Sequence, residues 1–159
     1  MIARGPGLGR AAAVAVVAVA LDQISKAVVR DGVAPGERIE LFGGVEIVRV
    51  ANRGIAFGLL NDAGPAVLAI AAIAFAVLLG IFLAGAERPG LWLPIGLLAG
   101  GAIGNLLDRI RQGFVTDFID PPAWPAFNLA DVEITAGVVI LISIYLLGAE
   151  GTAPQRAPD

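Results

Sequence analysis

The alternation of apolar and polar segments predicts four membrane-spanning helices. Segment 63–86 holds 24 consecutive residues without a charge and segment 89–107 holds 19, whereas about 20 apolar residues suffice to cross the hydrocarbon of a bilayer. The first helix is predicted at about 8–29 and the fourth at about 132–148. The polar tail, 149–159, is expected to be disordered. The pattern therefore predicts a single all-α membrane domain with four transmembrane helices.

The first apolar segment also has the form of a secretory signal peptide. Arg4 and Arg10 precede it without any acidic residue, and the run 18–20 (Ala-Val-Ala) offers a cleavage site of the A-x-A type. Apolar character resumes at Ile24, however, and three further spans follow. We therefore interpret this segment as a membrane helix.

Two polar regions, 31–62 and 108–131, lie between the predicted spans. Within the first, residues 39–41 and 45–50 alternate partly and are rich in β-branched side chains, which predicts short strands and a small sheet on the membrane surface. The turn at 87–90 is only four residues long. Since four spans joined in this way place both polar regions on one face of the membrane, we expect the unusual polar residues to converge there.

The direction of insertion follows from the positive charges. The acid-free N-terminus with its arginines is predicted to stay in the cytoplasm, which makes regions 31–62 and 108–131 extracytoplasmic. A raw count of Lys and Arg gives four on the cytoplasmic side and six opposite. We give more weight to the first helix, because arginines within a functional site are retained there for function.

The composition limits the possible chemistry. Apolar residues make up 57% of the chain and charged residues 16%, with no His and no Cys. These absences exclude a Ser-His-Asp triad, a cysteine nucleophile, a His-ligated zinc and any disulfide. No basic block suggests nucleic acid, and neither a metal nor a cofactor is predicted. An enzyme of this composition would depend on carboxylates.

The densest polar stretch is 100–131, in which Asp117 and Asp131 are the candidates for shared chemistry. Polar groups at this density are costly beside a membrane, which indicates a functional site. Two carboxylates held close together do not both ionise readily, so one keeps a proton while the other activates water. The alternative is that both are interfacial residues capping helices, as Asp131 beside Asn128 would be.

Polar residues also mark the ends of two helices. Asn105, Asp108 and Arg109 project from one side where the third helix is predicted to end. Asp22 and Lys26 are four apart and share a face of the first helix. Their pairing is either a structural ion pair or a contact to substrate, and the sequence leaves both open.

The motifs taken together resemble those of the lipoprotein signal peptidase (signal peptidase II) family. The resemblance covers nearly the whole chain in order, and it rests on these segments: Asp22-Gln23-x-x-Lys26, Asn52-x-Gly54-x-Ala56-Phe57, Gly104-Asn105-x-x-Asp108-Arg109, Val115-x-Asp117-Phe118 and Phe127-Asn128-x-Ala130-Asp131. It implies a membrane aspartic endopeptidase that removes the signal peptide from diacylglyceryl-modified prolipoproteins, cutting before the lipidated cysteine. The strands at 39–50 would then belong to the family's extracytoplasmic β-cradle.

The resemblance also assigns expected roles. Asp117 and Asp131 match the catalytic pair. Residues matching the family's substrate-binding positions are Asn52, Asn105, Arg109 and Asn128. Positions that support the site are Asp22, Lys26, Gly54, Phe57, Gly104 and Asp108. A monomeric, multi-pass protein of the bacterial cytoplasmic (inner) membrane is expected, in contact with membrane lipid.

Some residues depart from the family's pattern. Ile55 stands where a small residue is usual, and Val132-Glu133 follows Asp131 where Ser-Ala is common. Glu133 therefore adds a carboxylate close to the predicted pair. If it faced the site it would disfavour ionisation of its neighbours, whereas a placement toward lipid or water would be harmless.

Two other functions deserve comparison. A Ser-Lys protease would need Ser25 or Ser143 beside Lys26, yet adjacent helical residues do not face each other and Ser143 lies deep in the fourth span. A small proton-coupled transporter would place ionisable groups near the midplane, but the second and third spans contain none. The transporter is the main alternative to the peptidase.

Overall fold

The computed structural model describes residues 6–53, 80 and 90–150 of the chain, and within them the polypeptide forms three helices and three strands. In chain order these are α1 (Pro6–Gly32), β1 (Arg38–Phe42), β2 (Val45–Asn52), α2 (Trp92–Gln112), β3 (Val115–Asp120) and α3 (Leu129–Glu150). The segments Gly7–Gly32 and Leu129–Leu147 are long and apolar enough to cross a membrane. The predicted span 63–86 lies outside the described residues, as do Gly54 and Phe57, so the count of four helices stays a prediction.

Helix α2 contacts both other helices through glycines. A Cβ at Gly96 would overlap Val14, and one at Gly100 would overlap Ala18, both on α1. On the opposite side, Gly101 lies against the Ala130 carbonyl of α3. Glycine has no side chain to hold two helices apart, so their backbones approach closely. Small residues promote helix packing in membranes in this way. Gly96 and Gly100 thus lie in the contact between α1 and α2.

The strands form one antiparallel sheet in the order β1-β2-β3. The first two strands correspond to the predicted 39–41 and 45–50, and β3 extends this sheet as a third member. The register places Asn52 opposite Val115 and Val50 opposite Asp117. Pairing of β2 with β3 therefore carries Asn52 to the strand that holds Asp117.

A small apolar core joins the sheet to the helices. Val29 and Val33, at the end of α1, pack with Phe118 of β3, and Ile47 and Leu129 lie against them. On the exposed part of the sheet, Arg38 of β1 pairs with Glu46 of β2 and Asp120 of β3. The apolar contacts fix the sheet relative to the ends of α1 and α3, and the ion pairs join its three strands.

The helices extend beyond the predicted spans. Helix α2 continues to Gln112, so Asp108 and Arg109 lie in its last turns rather than in a loop. It ends at Gly113, whose φ of 76° is left-handed and whose N–H donates to the Arg109 carbonyl. Helix α3 runs to Glu150, so the first two residues of the predicted disordered tail are helical. A charged residue interrupts the apolar pattern of the sequence. The helix nevertheless continues, because other elements of the fold pair with or hydrogen-bond to that side chain.

Candidate active site

Asp117 lies on β3 with its side chain buried. One carboxylate oxygen accepts a hydrogen bond from the Asn52 amide nitrogen at 2.8 Å, and the other accepts one from Asn128 at 2.6 Å. Burial raises the pKa of Asp117 from 3.8 to about 6, against the opposing effect of these two hydrogen bonds, while the Asp131 charge adds to the rise. Asp117 is therefore suited to hold a proton in mildly acidic solution, up to a pH of about 6.

Asp131 lies in the first turn of α3. Its Oδ1 accepts a hydrogen bond from the Asn105 amide nitrogen at 3.0 Å, and its Oδ2 accepts one from the Asn128 backbone N–H at 3.2 Å. Both of these partners are donors, and the helix N-terminus carries a partial positive charge. This environment suits a carboxylate.

Asn128 connects the two aspartates. Its side-chain oxygen accepts the Asp131 backbone N–H at 3.2 Å, while its side-chain nitrogen donates to Asp117. Together with the bond from the Asn128 N–H to Asp131, this is a reciprocal capping arrangement at the start of α3. The sequence left a catalytic pair and helix capping as alternatives for Asp131. The structure shows the capping contacts, and these contacts also hold Asp131 near Asp117.

Behind the aspartates, α1 supplies a buried ion pair. Asp22 and Lys26 are completely buried and lie 2.9 Å apart. The other oxygen of Asp22 accepts the Ala130 backbone N–H of α3 at 3.1 Å. Asp22 approaches α2 at Gly104, where a Cβ would overlap its carboxylate. The pair thus ties α1 to the start of α3, which is a structural role; Lys26 also reaches the side-chain oxygen of Asn105 at 2.8 Å.

Asp108 completes this network. It is completely buried, lies 3.5 Å from the Lys26 amine and 3.7 Å from Arg30, and accepts the Thr116 backbone N–H at 3.0 Å. Thr116 directly precedes Asp117 on β3. Asp108 therefore holds the strand that carries Asp117 against α2.

The two aspartates line a cavity of about 880 Å³. The polar residues at one end are Asn52, Asn105, Arg109, Asp117, Asn128 and Asp131. From there the lining continues along α3 through mostly apolar side chains, which are Val132, Ile134, Thr135, Ala136, Val139 and Ile140. The loop residues Trp124 and Pro125 lie at its edge. The cavity therefore combines a polar end that contains two carboxylates with a long apolar wall.

Some of this lining was not anticipated from the sequence. Trp124 and the face of α3 that carries Val132, Thr135 and Val139 have no predicted role. The available signal was their spacing, since residues three and seven positions after Val132 fall on the same helix face. Arg109 was predicted to bind substrate, and in the structure it lines the cavity and donates to the Asn105 carbonyl at 3.3 Å.

Other residues considered from the sequence lie away from this chemistry. Ser25 donates to the Asp22 carbonyl and Ser143 to the Val139 carbonyl, both at 2.8 Å, as helical serines do. Glu133 is buried and does not line the cavity, and its Oε2 has no hydrogen-bond partner in the described part of the chain. Among those described residues, no group of three or more carboxylates is placed to hold a metal ion.

Comparison with known proteins identifies relatives along most of the chain. The model of the family described as signal peptidase (SPase) II matches residues 14–147. The lipoprotein signal peptidase of Moorella thermoacetica is 38% identical over 144 residues, covering 88% of this chain and 96% of that protein. The lipoprotein signal peptidase of Caulobacter vibrioides is 41% identical over 147 residues, covering 87% of each chain.

Solved structures agree with the sequence relatives. A bacterial membrane enzyme determined by the in meso method at 2.3 Å resolution superposes with a TM-score of 0.84 at 29% identity, covering 95% of this chain and 96% of the other. A second bacterial membrane enzyme, at 1.9 Å resolution, gives a TM-score of 0.78 at 31% identity over 87% of this chain and 94% of the other. With its sequence and its fold in agreement, this chain belongs to the signal peptidase II family.

Proposed function

We propose that this chain is an aspartic endopeptidase that removes the signal peptide from diacylglyceryl-modified prolipoproteins, cutting before the lipidated cysteine. Family membership supports the reaction, since relatives at 38–41% identity are named lipoprotein signal peptidases. The observation that carries the mechanism is that Asp117 and Asp131 line one cavity and are joined through Asn128. Aspartic chemistry needs such a pair and no further nucleophile.

The two aspartates differ in environment, which supports a division of roles. Asp131 receives hydrogen bonds from Asn105 and Asn128 at the start of a helix, and it acts as the general base. Asp117 is buried and its pKa is raised to about 6, so it acts as the general acid that begins the reaction protonated. In enzymes of this type, the carboxylate whose environment favours the protonated form acts as the acid, and the one whose environment favours the ionised form acts as the base.

The reaction then proceeds in two steps. Asp131 takes a proton from water as the water oxygen bonds to the scissile carbonyl carbon, and Asp117 donates its proton to the carbonyl oxygen. Asp131 next gives its proton to the leaving nitrogen while Asp117 recovers one from the intermediate, and the carbon–nitrogen bond breaks. The products are the carboxyl end of the signal peptide and the free amine of the lipidated cysteine, and both aspartates return to their starting states.

The asparagines and Arg109 hold the reacting groups. Asn52, Asn105 and Asn128 each donate to one of the aspartates, so they orient the pair in addition to the substrate binding predicted for them. Arg109 lines the same end of the cavity with a guanidinium that donates hydrogen bonds and stabilises developing negative charge on a carbonyl oxygen. Positioning of this kind supplies much of the acceleration in enzymes.

The shape of the cavity supports a lipid-modified substrate. Its polar end suits a peptide bond, and its apolar wall along α3 suits hydrocarbon. Helix α3 is long and apolar enough to cross a membrane, so a substrate whose acyl chains remain in the bilayer reaches the aspartates laterally. Because the acyl chains stay out of water throughout this approach, no cost of exposing apolar surface opposes binding.

We further propose that the protein is a monomer in the bacterial cytoplasmic membrane and that its active site faces outward. The arginines of the acid-free N-terminus support a cytoplasmic start for α1. Because the chain has no cysteine, a single cysteine at the exposed position Glu40 is a clean reporter. It should react with a membrane-impermeant maleimide in intact cells, and labelling only after lysis would reverse the orientation.

The test of the mechanism is cleavage of a diacylated prolipoprotein by the purified enzyme in detergent. Asp117→Asn and Asp131→Asn should each abolish cleavage while remaining folded by thermal unfolding. Asp120→Asn is the matched control, because Asp120 lies on the same strand as Asp117 but pairs with Arg38 outside the cavity. Cleavage by a folded Asp117 or Asp131 variant at a rate near that of the control would contradict the mechanism.

A further inference from the structure

Asn105 lies between a buried cation and a proposed catalytic carboxylate. Its side-chain oxygen accepts a hydrogen bond from the Lys26 amine at 2.8 Å, and its side-chain nitrogen donates to Asp131 at 3.0 Å. An ammonium group only donates hydrogen bonds and an ionised carboxylate only accepts them. Both contacts can therefore form only with the amide turned one way, with its oxygen toward Lys26 and its nitrogen toward Asp131.

Lys26 is itself held in place from two sides. Its amine lies 2.9 Å from Asp22 on the same helix and 3.5 Å from Asp108 on α2, and all three side chains are completely buried. Gln23 adds hydrogen bonds to both carboxylates, at 3.1 and 3.2 Å. Because a buried charge is stable only when it is paired and hydrogen-bonded, the amine has a single well-determined position facing Asn105.

We propose that Lys26 is a positioning residue that sets the orientation of the Asn105 amide, and through it the donor that faces Asp131. This inference rests on the proposed function, in which Asp131 is the general base. Loss of the Lys26 amine frees the amide to rotate by half a turn. The Asn105 oxygen would then face Asp131, and the repulsion between two acceptors would favour the protonated and inactive form of the base.

Several other charged groups surround Asp131 and could also affect its ionisation. Lys26 and Asp22 approach from α1, Arg109 and Asp108 from α2, and Asp117 from β3, while Glu133 shares its own helix. Of these groups, Lys26 reaches the Asp131 carboxylate through one intervening side chain, that of Asn105, while Asp117 is joined to Asp131 through Asn128. An effect of Lys26 that reaches Asp131 through hydrogen bonds should therefore depend on Asn105, whereas the direct attraction between the Lys26 charge and Asp117 does not.

A double-mutant cycle on cleavage of a diacylated prolipoprotein tests this dependence. Lys26→Met should lower kcat about 10- to 100-fold, the range expected when a reacting group loses its orientation, with KM within about twofold. The acid limb of the pH–rate profile should also move to higher pH. In the Asn105→Ala background, Lys26→Met should cause no further loss of kcat. Lys26→Arg, which keeps the charge and the donors, should recover part of the activity.

Independent losses from Lys26→Met and Asn105→Ala that multiply in the double variant would overturn the inference, as would an unchanged pH profile. Gln23→Met is the matched control, because Gln23 donates to Asp22 and Asp108 and is not part of the link from Lys26 through Asn105 to Asp131. It should lower the unfolding temperature without moving the pH profile. If Lys26→Met does not accumulate as folded protein, the whole cycle is repeated in an Asp22→Asn background, which removes the carboxylate that Lys26 pairs with, and the same two opposing outcomes apply.

The two proposals fail in different ways. If wild-type enzyme does not cleave the diacylated substrate, or if the Asp117→Asn and Asp131→Asn variants still do, the proposed function is wrong. If wild-type enzyme cleaves and both aspartates are required, but the effect of Lys26 is independent of Asn105, only the positioning role is wrong.

Discussion

Asn128 and Asp131 cap each other at the start of α3. The Asn128 side-chain oxygen accepts the Asp131 N–H, and the Asp131 carboxylate accepts the Asn128 N–H, both at 3.2 Å. Since the Asn128 amide nitrogen also donates to Asp117, the interaction that begins the helix is the same one that spaces the two aspartates. Stability of the helix start and activity are therefore coupled at one residue.

Substitution of Asn128 should separate the two roles. Both Asn128→Ala and Asn128→Ser lose the donor to Asp117, so both should lose most cleavage activity. Serine keeps a capping oxygen and alanine does not, so the serine variant should be more stable by about 1 kcal/mol. Thermal unfolding in detergent and a cleavage assay measure the two effects. Equal stability of the variants would show that the cap contributes nothing to folding.

The pH dependence of cleavage should report the proton on Asp117. With the pKa of Asp117 at about 6, the protonated form predominates below that pH and is lost above it. Since the proposed mechanism needs this proton at the start, kcat/KM should fall as the pH rises through about 6.

Removing a hydrogen bond to Asp117 should move this fall. The bond from Asn52 stabilises the ionised form and so lowers the pKa of Asp117. Asn52→Ala should therefore raise the pKa and shift the falling limb of the kcat/KM profile to higher pH. Ala51→Ser is the control, because adjacent side chains on a strand point to opposite faces. A shift toward lower pH would contradict the assignment of Asp117 as the acid.

The contact between Gly104 and Asp22 should tolerate no side chain. A Cβ at Gly104 would overlap the Asp22 carboxylate, which holds both Lys26 and the Ala130 N–H. Gly104→Ala should destabilise the protein by about 1–3 kcal/mol, as overpacking of a filled interior does. Gly9→Ala is the matched control on α1, where a Cβ meets nothing within 4 Å. It should leave stability unchanged or raise it by up to about 1 kcal/mol.

Glu133 should be dispensable for cleavage despite its position two residues after Asp131. It is buried away from the cavity, and one of its oxygens lacks a partner in the described part of the chain. Glu133→Gln keeps the shape and removes the possible charge, so kcat/KM and its pH profile should stay within about twofold of wild type. A displaced pH profile would mean that the Glu133 charge acts on the aspartates.

Much of this architecture is predictable from local pattern. The apolar runs that become α1 and α3, the glycines of α2 and the strands at 39–41 and 45–50 follow from composition and periodicity, which act over a few residues. The start of α3 is predictable in the same way, because Asn128 and Asp131 are three apart. The densest polar stretch made Asp117 and Asp131 the candidates, and the resemblance to a family then matched them to its catalytic pair.

The helix ends were less predictable. The charge at Asp108 interrupts the apolar pattern, yet α2 continues to Gln112 because Lys26 and the Thr116 N–H, which come from other elements, satisfy that carboxylate. The polar Asn105 is retained in the interior for the same reason. Whether a polar residue ends a helix depends on partners that a local window does not contain.

The sequence by itself determined which segments are apolar, where α3 begins and which residue types are present for acid–base chemistry. Only the tertiary structure decided which of them meet. Asn52 reaches Asp117 across 65 residues because β3 pairs with β2 in one particular register, and Lys26 reaches Asn105 across 79 because glycines let α1 and α2 approach closely. Strand register and helix packing are chosen by the fit of whole surfaces, so the link from Lys26 through Asn105 to Asp131 exists only in the folded protein.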